Sequence, residues 1–324
     1  MYRVMNVVDL NSDDIWSRQY DLGIFASGYE SRCVATSERL SAKQVEMPII
    51  LGFSNEVLPD ARKRHDLHFR QKWSVDPIKI EHSDFDAAWK QMGAIVYALM
   101  QSKKERLRIL VDYSSMSRAW YAGILNFVRF LDTNVTIEID FCYTIGHYGA
   151  GFEEELRTSV VNRIVSLPGL EGLSGTREST VAALGLGFTP VAALGVLERL
   201  QPSVVFSFLA EPGAEEGYSE ICRDANASII AMSRFIMPLP LRSVAVSSNR
   251  LSEAILPFLD HSQVTFIPMG PKPHVLASML TAARYKQAAC LYASISRKQV
   301  SDISPLEEIV ATRVTFAGKR PSAA

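Results

Sequence analysis

The chain has 324 residues, with 34 lysines and arginines against 35 aspartates and glutamates, for a formal net charge of −1. Hydrophobic residues make up 48% and charged residues 21%, which excludes a disordered chain and predicts one with a substantial core. The absence of a basic excess argues against bulk binding of duplex nucleic acid.

No apolar run reaches the length of a membrane span, and the N-terminus turns acidic without an apolar signal core. Cys33, Cys142, Cys222 and Cys290 form no CxxC pair and have no histidine at ligand spacing. The expectation is a cytoplasmic protein with buried thiols, no metal site and no membrane partner. No cofactor is indicated.

Taken in chain order, strand-like apolar runs fall at 21–26, 48–53, 78–81, 107–112 and 135–143. Residues 84–103 and 118–131 carry apolar positions at helical spacing, with Ser83 or Asp84 as a cap for the first. The stretch 146–177 is less regular and reads as a connection, with a short helical piece over 153–166. The rhythm then restarts. Strands are predicted at 180–186, 203–210, 235–239, 264–268 and 288–293, and helices at 190–200, 215–225, 244–260 and 273–283. Residues 318–324 read as a frayed tail. This alternation predicts an α/β protein of two successive Rossmann-like halves with mainly parallel sheets, divided as 1–170 and 171–324.

In such sheets ligands bind beyond the carboxyl ends of the strands, where helix N-termini direct free N–H groups. Four polar loops occupy that position. In the first, Ser27 to Arg32, Gly28 permits a sharp turn, Glu30 suits a ribose hydroxyl and Arg32 a phosphate. In the second, Asp112 ends an apolar strand, Ser114 and Ser115 supply hydroxyls, and Arg118 opens a helix. The third, Gly187 to Pro190, places Thr189 at a helix cap with Pro190 at the first helical position. The fourth, Met269 to His274, combines Gly270 with two prolines and displays Lys272 and His274. A further basic run, Arg62-Lys63-Arg64-His65 with His68, Arg70 and Lys72, reads as a solvated helix face, with a lid over the first rim or a polyanion patch as alternatives.

The segments VDYSSMSRAWYAGIL (111–125) and IPMGPKPHVLASML (267–280) resemble the ligand-binding element of CARF domains: a late strand, a strand-end Asp or Asn, a hydroxyl- and glycine-rich turn, a cation and a helix. In these terms Asp112, Ser114 and Arg118 take the strand-end, hydroxyl and cation places, and Gly270 and Lys272 the glycine and cation places. Ser115 and Met116 stand where the first segment would carry glycines. Two such halves in one chain are similar to SAVED domains. The resemblance implies a sensor of a nucleotide or cyclic oligonucleotide in antiphage defence. With residues allotted to both halves no separate effector domain fits, so the output needs an effector protein, a homodimer rearrangement or a built-in activity.

The alternative is a nucleotide-processing enzyme of phosphodiesterase or nucleoside glycosidase type. No nucleophile elbow, HExxH, P-loop or deaminase set is present. Glu30, Asp112 and Glu211 at strand or turn ends could still serve as acid and base, and Tyr113 or Ser114 as nucleophile.

Overall fold

The structure is a computed structural model, and it describes residues 4–55, 59–102, 105–149, 152–173, 179–295 and 302–317. The predicted tail at 318–324 lies outside them. The chain divides into two units, residues 1–147 with 302–324, and residues 148–301. The division therefore falls earlier than position 170, and the last strand belongs with the first unit.

The first unit begins with β1 (Val4–Leu10), α1 (Ser12–Trp16), β2 (Tyr20–Ser27), α2 (Ala35–Arg39) and β3 (Val45–Phe53). It continues with α3 (Pro59–Trp73), β4 (Ile78–Ile80), α4 (Phe85–Ser102), β5 (Arg106–Asp112), α5 (Arg118–Phe130) and β6 (Thr136–Tyr148). The second unit carries α6 (Phe152–Arg157), β7 (Val161–Ser166), β8 (Ser179–Gly185), α7 (Pro190–Leu200), β9 (Val204–Ala210), α8 (Tyr218–Ala225) and α9 (Ala227–Met232). After these come β10 (Ile236–Leu239), α10 (Val244–Ile255), β11 (Ser262–Pro268), α11 (Lys272–Arg284) and β12 (Ala288–Ile295). The chain then returns to the first unit as β13 (Ile303–Phe316).

The first sheet has the order β1-β13-β6-β5-β2-β3-β4, with β6, β5, β2, β3 and β4 parallel and β1 antiparallel to β13. The second has the order β10-β9-β8-β11-β12-β7, parallel except for β7, which runs antiparallel to β12. Within each, the successive parallel strands take the places 3-2-1-4-5, so the order reverses between β2 and β5 in one unit and between β8 and β11 in the other. This is the Rossmann-like arrangement.

Central strands read as continuous apolar runs because both of their faces are covered. Val181, Ala182, Ala183 and Leu184 of β8 are all buried, as are Ile109, Leu110 and Val111 of β5. One face of the second sheet packs Ala182, Leu184 and Ile267 against Ala193, Val196 and Leu197 of α7. The helix starts follow local chemistry. Asp84 accepts from the Asp86 and Ala87 amides at 2.9 Å, Ser117 from Ala119 at 3.1 Å, and Pro190 opens α7.

Two expectations are corrected. The helical piece assigned to 153–166 holds only over α6; residues 161–166 form strand β7, completing the sheet on β12. The strands β1 and β13 were missed altogether. Pro305, Glu307 and Glu308, all exposed, interrupt the apolar alternation of β13. All four cysteines are buried and free. Among the described residues no helix is long and apolar enough to cross a membrane.

Candidate functional site

The first rim is built where the loop after β2 meets the loop after β5. Asp112 is 2% exposed, and its Oδ1 accepts both the Ser114 amide, at 2.9 Å, and the Ser114 hydroxyl, at 2.5 Å. The Ser114 Oγ in turn accepts the Thr144 amide of β6 at 2.8 Å, so the turn after β5 is fastened to its neighbouring strand. Gly28 brings the other loop in: a Cβ there would sit 3.1 Å from the Ser115 Cβ. The Ser115 hydroxyl donates across the strand reversal to Glu30 Oε2 at 3.2 Å.

Glu30 and Arg32 form an ion pair at 2.8 Å, and both are buried. Arg32 Nη1 also donates to the Tyr143 hydroxyl at 2.9 Å, and its guanidinium lies 5.3 Å from that ring's centre. Sequence reasoning gave Glu30 to a ribose and Arg32 to a phosphate; the fold turns them on each other and on Tyr143, as buried charges require. Arg118 stands half-buried at the first position of α5. Ser117, the third serine of that loop, is the helix cap and also donates to the His82 carbonyl.

Helix α3 covers this rim from the side. His65 Nδ1 donates to the Gly28 carbonyl at 2.8 Å, and Asp66 accepts from the Ser27 hydroxyl. Arg62 is 7% exposed, 5.9 Å from the Phe53 ring centre, and donates to the Asn55 carbonyl at 2.7 Å. The basic run is thus a docked helix with a polar inner face. Its sequence hid this because His65 and Asp66 sit among residues that do face water, such as Lys63 and Arg64.

The second rim lies between β8 and β11. The loops after these strands cross so closely that a Cβ on Gly187 would come 2.6 Å from the Met269 carbonyl oxygen, and one on Gly270 2.6 Å from that of Leu186. Only glycine tolerates this approach. Thr189 is buried at the head of α7, Lys272 half-buried as the first residue of α11. Asn226 Nδ2 donates to the Gly187 carbonyl at 2.8 Å and steadies the loop from α8.

His274 departs from expectation. It is 1% exposed, with Nε2 3.4 Å from the Pro240 carbonyl and its ring 6.1 Å from that of Phe208. Burial pushes its pKa down to about 4, so the imidazole is neutral near pH 7 and packs rather than presenting a charge. Beside this rim the rings of Tyr148, Phe152, Phe188 and Tyr218 pack together, Phe152 and Phe188 at 4.8 Å. Burial and the neighbouring Glu215 hold the Tyr218 phenol up at about 12.

No family model matches the chain, and no curated protein resembles it in sequence.

The residues proposed for acid–base work are engaged elsewhere. Glu211 pairs with Arg223, Glu30 with Arg32, and Asp112 with Ser114. Tyr113 is 1% exposed among Tyr121, Phe141 and Tyr143, and burial raises its phenol well above the usual range, which removes it as a nucleophile. Among the described residues, no group of three or more His, Cys, Asp or Glu side chains is placed to hold a metal. The sequence reading missed Tyr143, Thr144 and Asp66, and named His65 only within the basic run. Only Tyr143, at the end of an apolar strand, carried a visible signal.

Proposed function

We propose that the chain binds a phosphate-bearing nucleotide, cyclic oligonucleotides included, and acts as a regulatory sensor in the cytoplasm. The observation that carries this reading is positional: in each unit, the two polar loops picked out by composition are the pair flanking the reversal of strand order. That is where open parallel sheets take ligands. Arg118 and Lys272 each open a helix of 13 residues, so a cation coincides with the positive end of a helix dipole at both rims. The buried Glu30–Arg32–Ser115 and Asp112–Ser114–Thr144 contacts then shape the first rim, and Phe188 offers a ring beside the second. A role in antiphage defence rests on the CARF and SAVED resemblance alone.

The test is a panel of mono-, di- and cyclic nucleotides, followed by melting temperature and product analysis. A sensor is stabilised without turnover, by about 2.7 kcal/mol at a hundredfold excess over Kd. Arg118→Ala and Lys272→Ala each weaken binding by about 1.5–3 kcal/mol, the worth of a charge-assisted hydrogen bond. A panel with no thermal shift overturns the reading. Turnover that Asp112→Asn abolishes, with affinity intact, replaces it with the nucleotide-processing enzyme.

A further inference from the structure

A second polar concentration lies at the opposite ends of the first unit's strands, away from the rim. Arg106 and Arg108 project to one side of β5, and the register sets Arg108 beside Glu138 on β6, with Asp140 two residues further on the same side. Arg18, between α1 and β2, and Arg313 of β13 complete the group. Together these four arginines line a cavity of about 420 Å³. The rest of its lining is polar, with Asp14 the sole carboxylate and no aromatic ring.

Two buried carboxylates fix three of the guanidiniums. Glu138 pairs with Arg18 and, at 3.0 Å, with Arg106. Asp140, 1% exposed, takes Arg313 through two bonds of 2.7 and 2.8 Å and the Tyr20 hydroxyl at 3.0 Å. Arg108 is exposed, and among the described residues its guanidinium has no partner. The buried Arg18 Nε likewise has no hydrogen-bond acceptor. Four guanidiniums converge on one space, with Asp14 in its lining, Glu138 and Asp140 engaged behind them, and Asp21 accepting the Arg108 amide at 2.8 Å.

The geometry points to a binding site for a small polyphosphate anion, held by arginine forks rather than through a base. Guanidiniums match phosphate oxygens bidentately, and positions set in advance by Glu138 and Asp140 spare the ordering cost of binding. A cavity of this size holds two or three linked phosphates and falls in the range of small-ligand sites. The phosphates can come free or as the tail of a nucleoside di- or triphosphate. Nothing in the lining stacks a base, so the two sources share one recognition chemistry.

Calorimetric titration of the full chain with pyrophosphate, tripolyphosphate and ATP tests this, with sulfate as the single-anion comparison. The expected result is saturable pyrophosphate and tripolyphosphate binding, weakened at least tenfold by Arg108→Gln and by Arg106→Gln, with sulfate much weaker. Both side chains are exposed, so the variants keep the parent melting temperature. ATP binding no tighter than tripolyphosphate assigns the site to free polyphosphate; tighter ATP binding, equally lost in Arg108→Gln, assigns it to the tail. Arg118→Ala leaves the pyrophosphate and tripolyphosphate titrations unchanged, which separates this site from the nucleotide reading of the rims. Absence of pyrophosphate and tripolyphosphate binding at millimolar concentration, or affinity indifferent to Arg108→Gln, overturns the proposal.

Discussion

Arg32 shows how far residue type alone can mislead. An arginine in a strand–helix turn suggests a phosphate contact, yet here it neutralises a buried glutamate and grips a tyrosine on a strand far along the sequence. Arg32→Ala would strand Glu30 in a dry environment, so the first unit should lose about 3–5 kcal/mol in chemical denaturation. Replacing the pair together by Glu30→Gln and Arg32→Met should recover much of that loss. If Arg32→Ala is neutral, the ion pair is not what holds the turn. His274 gives a second case, with a pH signature. Its folded pKa, about 4, lies below the unfolded value of 6.5, so the stability it contributes is complete above 6.5. As pH falls from 6.5 to 4 the unfolded chain gains a proton that the folded chain refuses, costing about 1.4 kcal/mol per pH unit. Melting scans should show a steeper acid decline for the parent chain than for His274→Gln; equal slopes would place the acid sensitivity elsewhere. What the sequence did reveal at this scale was position. Gly28, Asp112, Ser114, Gly187 and Gly270 all lie in the loops where the strand order reverses, because glycine and strand-end polar residues are constrained by backbone geometry that sequence expresses directly. Their partners are set by tertiary contacts over long separations, and those are invisible to local patterns.

At the scale of elements, the sheet strands and long helices were legible because burial on both faces leaves unbroken apolar runs and amphipathic helices keep their period. Strands β1, β7 and β13 were not. Strand β7 alternates weakly, with Asn162 and Arg163 exposed side by side, and β13 carries Pro305 as its third residue. Both read as connections until a neighbouring strand is there to pair with them. The packing of α4 on α5 is another contact that only the fold discloses. A Cβ at Gly123 would fall 2.1 Å from the Phe85 carbonyl oxygen, so the glycine is where the start of one helix presses on the middle of the other. Gly123→Ala should therefore destabilise the first unit by about 1–3 kcal/mol despite the better helix propensity of alanine. Gly195→Ala in α7, where a Cβ meets nothing within 4 Å, serves as the control and should be neutral or mildly stabilising in the same urea titration. Equal effects at the two positions would mean that propensity, not packing, governs both.

At the scale of the whole chain, the sequence suggested two halves in succession, whereas one unit interrupts the other. Residues 148–301 are inserted between β6 and β13, which are neighbours in the first sheet. A sequential reading could not find this, since nothing local marks the last strand as belonging with the first. The interruption gives the first rim an unusual suspension. Tyr143, on the strand that leads out, holds Arg32. Asp302, where the chain comes back, accepts the Ser31 amide at 2.7 Å. The turn bearing Glu30 thus hangs between the outgoing and the returning threads, like a weight slung from two cords.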